Sequence, residues 1–262
     1  MLKTVREIAE LSYDEAAARL GREADWLVRV ETGFVVAGPE EVERILTEYG
    51  AREARVADQI IDMARRAADP PPWLAPHTAT MTAVTRDILL VEAEATLAQV
   101  HGFRLIPHLV QAEGYFRELA PSLYPDCDVD QEWDLLSHRQ AHQPAGVTRL
   151  LEVIIDETVF ILRMKRPQTM REQIRHLLAL GDSEHATVRV IPGDAPLWET
   201  RVHNFDVLSF AGTEDRIGVS YTILGPQFAS GEIHDEWVHI ENIAADPVRT
   251  RVILERHLDA LS

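Results

Sequence analysis

LSYDEAAARLGREADWLVRVETG, residues 11–33, reads as two short helices joined by a glycine. Ser12 and Glu15 fit the S-x-x-E pattern of a capping box, in which two side chains satisfy the first free amides of a helix. Ala16, Ala17 and Leu20 give that helix one apolar face, and Gly21 supplies the turn. Leu27 and Val30 carry the packing face of the second helix, which is expected to end near Gly33.

This spacing, with the Glu31-Thr32-Gly33 exit, resembles the helix-turn-helix of the XRE (lambda repressor-like) regulators. The resemblance implies an all-α head whose second helix enters the major groove. In that family the first residues of that helix are usually hydroxyls, amides or Arg that meet base edges and phosphates. Here the matching positions hold Glu23, Ala24, Asp25, Trp26 and Val28, and Tyr13 stands where a DNA-contacting Gln is common. Two carboxylates suit a helix N-terminus but repel a phosphate backbone. Arg22 and Arg29 are the basic residues near this face, and if DNA binding is retained, Arg22, Trp26 and Arg29 carry it. Arg29 equally suits a structural ion pair.

The charge balance agrees with that surface. The chain has 262 residues, 43 acidic against 26 basic, for a net charge of −17. Within the first 50 residues, Lys3, Arg6, Arg19, Arg22, Arg29 and Arg44 face eleven carboxylates, a local net of −5. The count weighs against nucleic acid. A single Cys127 excludes an internal disulfide framework and a cysteine-based zinc site, and its acidic neighbours favour an inert thiol. With no secretory h-region and no apolar run of membrane-spanning length, a soluble cytoplasmic protein is expected.

A first helix is expected over Leu2–Glu10, without the N-terminal arm that many regulators use on phosphates. Further helices are expected over Pro39–Tyr49 and Arg52–Ala68, and Asp69-Pro70-Pro71-Pro72 marks a domain boundary. The second unit opens with helical patterns at Thr82–Val100, Pro107–Leu119 and Asp130–Gln140. Glu152–Thr158 and Ala186–Pro192 then read as strands around an amphipathic helix at Thr169–Leu180, a parallel strand–helix–strand unit. Asn204–Phe210 and Ile217–Leu224 read as an antiparallel hairpin, and Pro247–Leu261 as the last helix. The fold class is therefore α+β: an all-α head over residues 1–69 and a larger α/β domain with a mixed sheet over 73–262.

Val91-Glu92-Ala93-Glu94-Ala95, followed by Ile106–Tyr115 (IPHLVQAEGY), resembles the LEAEA and PGLLQTEDYA segments of an actinobacterial domain, DUF5753, that usually lies behind an XRE head. His138-Arg139-Gln140, Asp156-Glu157, Met170–Gln173 and Val188–Pro192 fit its later landmarks. Pro107-His108 departs from the family's Pro-Gly, and Ala112 from its Thr. The resemblance implies a regulator of development or secondary metabolism, antitoxin-like in type, with a sensor body; it names no ligand.

No dinucleotide fingerprint, P-loop, H-E-x-x-H or G-x-S-x-G is present, so no cofactor is expected. The densest polar group is His108, Gln111, Glu113, Tyr115 and Arg117, with Glu92 and Glu94 upstream and His138 and Arg139 downstream. His108, Gln111 and Tyr115 have the spacing of one helix face. His108, Glu113 and Tyr115 are candidates for acid–base catalysis, and Glu92, Gln111, Arg139, Glu157 and Trp237 for ligand binding. The competing reading is helix packing, with Glu94 paired to Arg117 or Arg139. Asp156-Glu157 lies where open α/β sheets present ligands, or merely caps the next turn. His234 and His239, five apart, suit neither a helix nor a strand face as a metal pair, so no metal is assigned. Trp237, Trp198, Phe228 and Phe205 line an apolar pocket or fill the core.

Three functions fit. The first is a regulator-derived protein with impaired DNA reading whose body binds or transforms a small molecule, for example a cofactor-independent cyclase, isomerase or lyase of secondary metabolism. The second is a ligand-responsive DNA-binding regulator acting as a homodimer. The third is an antitoxin-like interaction module anchored by Trp26 and Val28.

Overall fold

A computed structural model describes the chain except residues 1, 33, 34, 36, 52–56, 59, 63, 66–68, 70, 80, 143, 145, 146, 196–202, 213–215, 223, 224, 230, 231 and 262. Gly33, Pro70, Trp198, the turn residues 213–215 and both ends of the expected 52–68 helix therefore lie outside the described residues. The chain divides into two compact units, Met1–Val91 and Glu92–Ser262.

The first unit is helical: α1 (Leu2–Ile8), α2 (Tyr13–Leu20), α3 (Ala24–Glu31) and α4 (Pro39–Tyr49), with the described residues between 57 and 65 also helical. The capping box forms as expected. Ser12 Oγ accepts from the Glu15 amide at 3.2 Å, and Glu15 Oε2 accepts from the Ser12 amide at 2.9 Å. Gly21 closes α2 at φ +63°, a left-handed conformation that glycine adopts without steric cost. Ala16, Ala17, Leu20, Leu27, Val30, Ile45 and Leu46 form the core.

A buried ion pair ties these helices together. Arg6 Nε and Nη2 of α1 donate to the Glu31 carboxylate of α3 at 3.0 Å, and Arg6 Nη1 donates to the Leu11 carbonyl at 2.8 Å. From α4 the Tyr49 hydroxyl donates to Glu31 Oε1 at 2.7 Å, and burial together with that carboxylate pushes the phenol pKa up. The two side chains are 6% and 0% exposed.

The second unit is built on a six-stranded sheet ordered β3-β2-β1-β4-β5-β6. The helix α5 (Ala83–Glu94) leads into β1 (Leu97–Gly102); α6 (Glu113–Leu123) and α7 (Val129–Ala141) connect it to β2 (Leu150–Asp156). A single turn, α8 (Thr158–Ile161), and α9 (Pro167–Gly181) then lead to β3 (Ala186–Ile191). β4 (Asn204–Ser209), β5 (Arg216–Thr222) and β6 (Gly225–Ala229) form an antiparallel meander, followed by α10 (Glu232–Ile243) and α11 (Pro247–Ala260). β1, β2 and β3 are parallel, whereas β1 and β4 are antiparallel, so the sheet is mixed.

One face of the sheet carries Ile154, Ile191, Phe205 and Val207 against Ile233, Trp237 and Ile240 of α10. Gly218 permits that approach, since a Cβ there would lie 2.2 Å from Ile233. Strand alternation puts Asp206 and Tyr221 on the opposite face.

Three expectations are corrected, and two elements were not expected. Thr82–Val100 is not one helix: it breaks after Glu94, and the apolar Leu97–Gly102 becomes a strand because β2 and β4 pair with it on both sides. Pro107–Leu119 is not one helix either. His108–Val110 is a 3₁₀ turn, Gln111 and Ala112 are extended, and α6 starts at Glu113, so His108, Gln111 and Tyr115 do not share a helix face. The His234–His239 segment is an undetected helix, and β6 is an undetected strand. Finally, Trp237 and Phe205 lie in the core while Phe228 is exposed, so these three do not line one pocket.

Replacing Glu31 with Gln leaves Arg6 buried without its counter-charge. It is expected to destabilise the helical head by about 3–5 kcal/mol. Calorimetric unfolding of the full chain reads this as a lowered head transition, and an unchanged transition would show that the pair is dispensable.

Candidate functional site

β1 is the strand at which the sheet changes from parallel to antiparallel pairing, and Asp206 of β4 lies opposite Val100 in its middle. The chain leaving β1 forms the 103–112 loop, and the side chains of Tyr115, Gln111, Gln173 and Gln140 hold it in place. Tyr115 Oη accepts from the Ile106 amide at 3.2 Å, and Gln111 Nε2 donates to the Ile106 carbonyl at 2.6 Å. Gln173 of α9 donates to the Val110 carbonyl at 2.8 Å and accepts from the Ala112 amide at 2.7 Å. Gln140 of α7 donates to the carbonyls of His108 and Gln111 at 3.0 and 2.9 Å.

This bracing presents the half-buried His108 ring edge-on to Tyr221, with centroids 5.5 Å apart. The Tyr221 hydroxyl donates to Asp206 Oδ2 at 2.6 Å. Beside them Arg139 of α7 forms a two-pronged pair with Glu92 of α5, Nε to Oε1 at 3.0 Å and Nη2 to Oε2 at 2.7 Å. Arg149 donates to the Glu92 and Ala95 carbonyls and so locks the end of α5 to the start of β2.

Electrostatics differentiate the members. Burial pushes the Asp206 carboxyl up to about 7, opposed by the Tyr221 hydrogen bond and Arg139 and reinforced by Glu92. Burial, aided by Arg139, pulls His108 down to about 4. Tyr221 is raised well above 10 by burial and by Asp206. Burial raises the Glu92 pKa, but Arg139, Arg149 and His108 outweigh it and keep the carboxylate ionised. At neutral pH the cluster thus combines a neutral imidazole, a phenol, a carboxyl near its midpoint and a paired guanidinium. Such a carboxyl is suited to moving a proton near neutral pH.

The remaining expected residues lie elsewhere or act indirectly. Gln111 and Tyr115 brace the loop; burial pushes the Tyr115 phenol up to about 12. Glu113 is exposed on α6 and paired with Arg117 at 2.6 Å. Glu157 stands at the end of β2, where its carboxylate accepts from the Gly193 amide at 2.7 Å and contacts His257 and Arg256. Trp237 is fully buried on the opposite face of the sheet. Asp156 Oδ1 accepts from the Thr158 amide and hydroxyl, the capping role open to that acidic pair. The ion pair of the helical layer is Glu92–Arg139, while Arg117 pairs with Glu113 and Asp130. Burial, with Glu132 and Asp128, raises the Cys127 thiol. Among the described residues no three His, Cys, Asp or Glu side chains converge as a metal site, and no helix is long and apolar enough to cross a membrane.

On the head, Glu23 and Asp25 are exposed at the start of α3. Arg22 is bound to Glu41 at 2.6 Å, and its guanidinium lies 4.7 Å from the Trp26 ring centre. Trp26 packs partly against the core, and Arg29 is exposed.

A family model described as a domain of unknown function, DUF5753, matches residues 85–256. The chain belongs to the DUF5753 family. A helix-turn-helix domain of XRE type, HTH_31, matches residues 1–59, so the head has a regulator-like origin in DNA binding. No curated protein and no solved structure matches the chain.

Within the DUF5753 segment, sequence reasoning reached Glu92, His108 and Arg139 but missed Asp206, Tyr221 and Arg149. One signal was readable: Asp206 interrupts the apolar run Phe205–Leu208, and a carboxyl there must be partnered or functional. Its partner Tyr221 is fixed by β4–β5 register.

The shifts predict how stability depends on pH. Between the unfolded value of 3.8 and about 7, Asp206 binds more protons folded than unfolded, so its contribution falls as pH rises through that window. His108 works oppositely, costing stability as pH falls from 6.5 towards about 4. Asp206→Asn should therefore gain up to about 4 kcal/mol on the native chain at about pH 8 and almost nothing at about pH 4. His108→Gln should gain only below about pH 6. Urea midpoints across pH check both, and curves parallel to the native one would contradict these environments.

Proposed function

We propose that this chain is a regulator-derived protein whose DNA reading is impaired and whose larger unit binds, or transforms without a cofactor, a small organic molecule beside the polar cluster of Asp206, Tyr221, His108 and Arg139. The observation that carries the reading is Asp206, a carboxyl buried within a strand and bound by Tyr221, whose ring in turn meets the braced His108 ring. A protein core does not retain such a group for packing, because burying it disfavours its charged form. The enzymatic form of this reading is proton transfer in a cyclisation, isomerisation or elimination of secondary metabolism, with Asp206 as the proton carrier. Impairment of the head is supported by Arg22, whose guanidinium is already bound to Glu41, and by the exposed Glu23 and Asp25.

A second reading, a ligand-responsive DNA-binding regulator acting as a homodimer, is favoured by the intact capping box, the Gly21 turn and the exposed Arg29. Fluorescence-anisotropy titration of the full chain against its upstream duplex at low salt separates the two. Impaired reading predicts weak binding that scarcely responds to salt. Tight binding with a steep salt slope, lost in Arg22→Ala or Arg29→Ala, would instead establish the regulator.

A further inference from the structure

Counting the hydrogen-bonding capacity left over in the cluster narrows what it takes. Asp206 is 4% exposed; its Oδ2 accepts from Tyr221, and its Oδ1 has no hydrogen-bond partner among the described residues. Arg139 uses Nε and Nη2 on Glu92, which leaves Nη1 without a partner among the described residues. The His108 ring makes only its edge contact with Tyr221 among those residues, although the His108 carbonyl is held by Gln140. The groups with open capacity stand on β4, α7 and the loop after β1, and Arg139 is close enough to act electrostatically on Asp206, Tyr221 and His108.

The charged and titratable groups acting on Asp206 are Tyr221, Glu92 and Arg139, with His108 against the far side of this group on Tyr221 and Arg149 behind Glu92. Glu92 is neutralised by Arg139, and Arg149 adds a second positive charge whose N–H groups lie on backbone carbonyls. What stays open is rich in donors: a guanidinium N–H, one imidazole N–H and the carboxyl O–H of Asp206 when it is protonated. An amine would face the net positive charge of Glu92, Arg139 and Arg149 taken together. An uncharged ligand could accept from Arg139 but would forgo the attraction between two opposite charges.

We propose that the cluster takes a small organic acid by its carboxylate, with Arg139 Nη1 and the protonated Asp206 carboxyl donating to the carboxylate oxygens and His108 beside them. This rests on the reading that the larger unit binds a small molecule, and adds the ligand's anchoring group. Two carboxyl groups in contact share one proton, since both cannot be ionised at short range. Binding therefore takes up a proton wherever free Asp206 is ionised. Affinity is flat between the ligand's own carboxyl pKa of about 4 and about pH 7, and falls by up to tenfold per pH unit above it, the opposite of the trend for an amine ligand.

Benzoate, benzamide and benzylamine, matched in size but carrying an anion, a neutral amide and a cation, are suitable probes for the intact chain. Calorimetric titration in two buffers of different ionisation enthalpy reads the proton uptake, and imidazole ¹⁵N resonances, assigned with His108→Gln, locate the bound probe. Benzoate is expected to shift His108, to bind at least about tenfold more weakly at pH 8.5 than at pH 6.5, and to outbind benzamide by about tenfold. Asp206→Asn still accepts from Tyr221 and can donate its amide, so it should keep benzoate binding and lose the pH dependence; Asp206→Ala would strand the Tyr221 hydroxyl. Preferential binding of benzamide or benzylamine at His108 would overturn the carboxylate assignment while leaving the small-molecule reading intact. So would benzoate binding with no proton uptake. If no probe perturbs His108, the anchoring proposal fails, and native mass spectrometry of the purified chain for a retained small molecule then decides the broader reading separately.

Discussion

Glu92 and Arg139 cannot be withdrawn from water separately, and their two-pronged pair organises the larger unit. Glu92 belongs to the last turn of α5, Arg139 to the last turn of α7, and Arg149 binds the carbonyls that follow Glu92 just ahead of β2. The helix before β1, the crossover after it and the start of the next parallel strand are thus tied at one point. A buried charge without its partner costs several kcal/mol, so this junction has few alternative arrangements. The same junction holds the guanidinium near enough to act electrostatically on Tyr221 and Asp206.

The two units use the same kind of buried pair to different ends. In the head, Glu31 accepts from Arg6 and Tyr49 while Arg6 also serves the Leu11 carbonyl, so the network faces inward and holds three helices. Around Arg139 the network stays open, with donor and acceptor capacity left on Arg139, Asp206 and His108. The helix-turn-helix frame survives in the head, but at the start of α3 its polar surface is acidic and the nearby Arg22 is engaged by Glu41.

How much of this was legible depended on the range of the signal. Ser12 and Glu15, Gly21, Pro39 with Gly50, and the apolar rows of α2, α3, α4 and α9 act within a few residues, and those elements form as read. The errors came where partners far along the chain override local pattern. Leu97–Gly102 continues a helical rhythm yet is a strand, because β2 and β4 supply its hydrogen bonds from about 50 and 110 residues away. His108–Tyr115 has helix-face spacing, but glutamines from α7 and α9 capture the carbonyls of an extended loop.

The amino-acid sequence by itself determined the helix-turn-helix frame, the acidic character of its recognition surface, the mixed α+β class and the membership of Glu92, His108 and Arg139 in one polar group. Only tertiary structure decided that Gln111 and Tyr115 brace a loop, that Trp237 fills the core, and that Asp206 and Tyr221 complete the cluster. Caps and periodicity are enforced by neighbours within one or two turns. A site assembled across a sheet is enforced by register between strands, whose pairing energy is absent from any short stretch of chain.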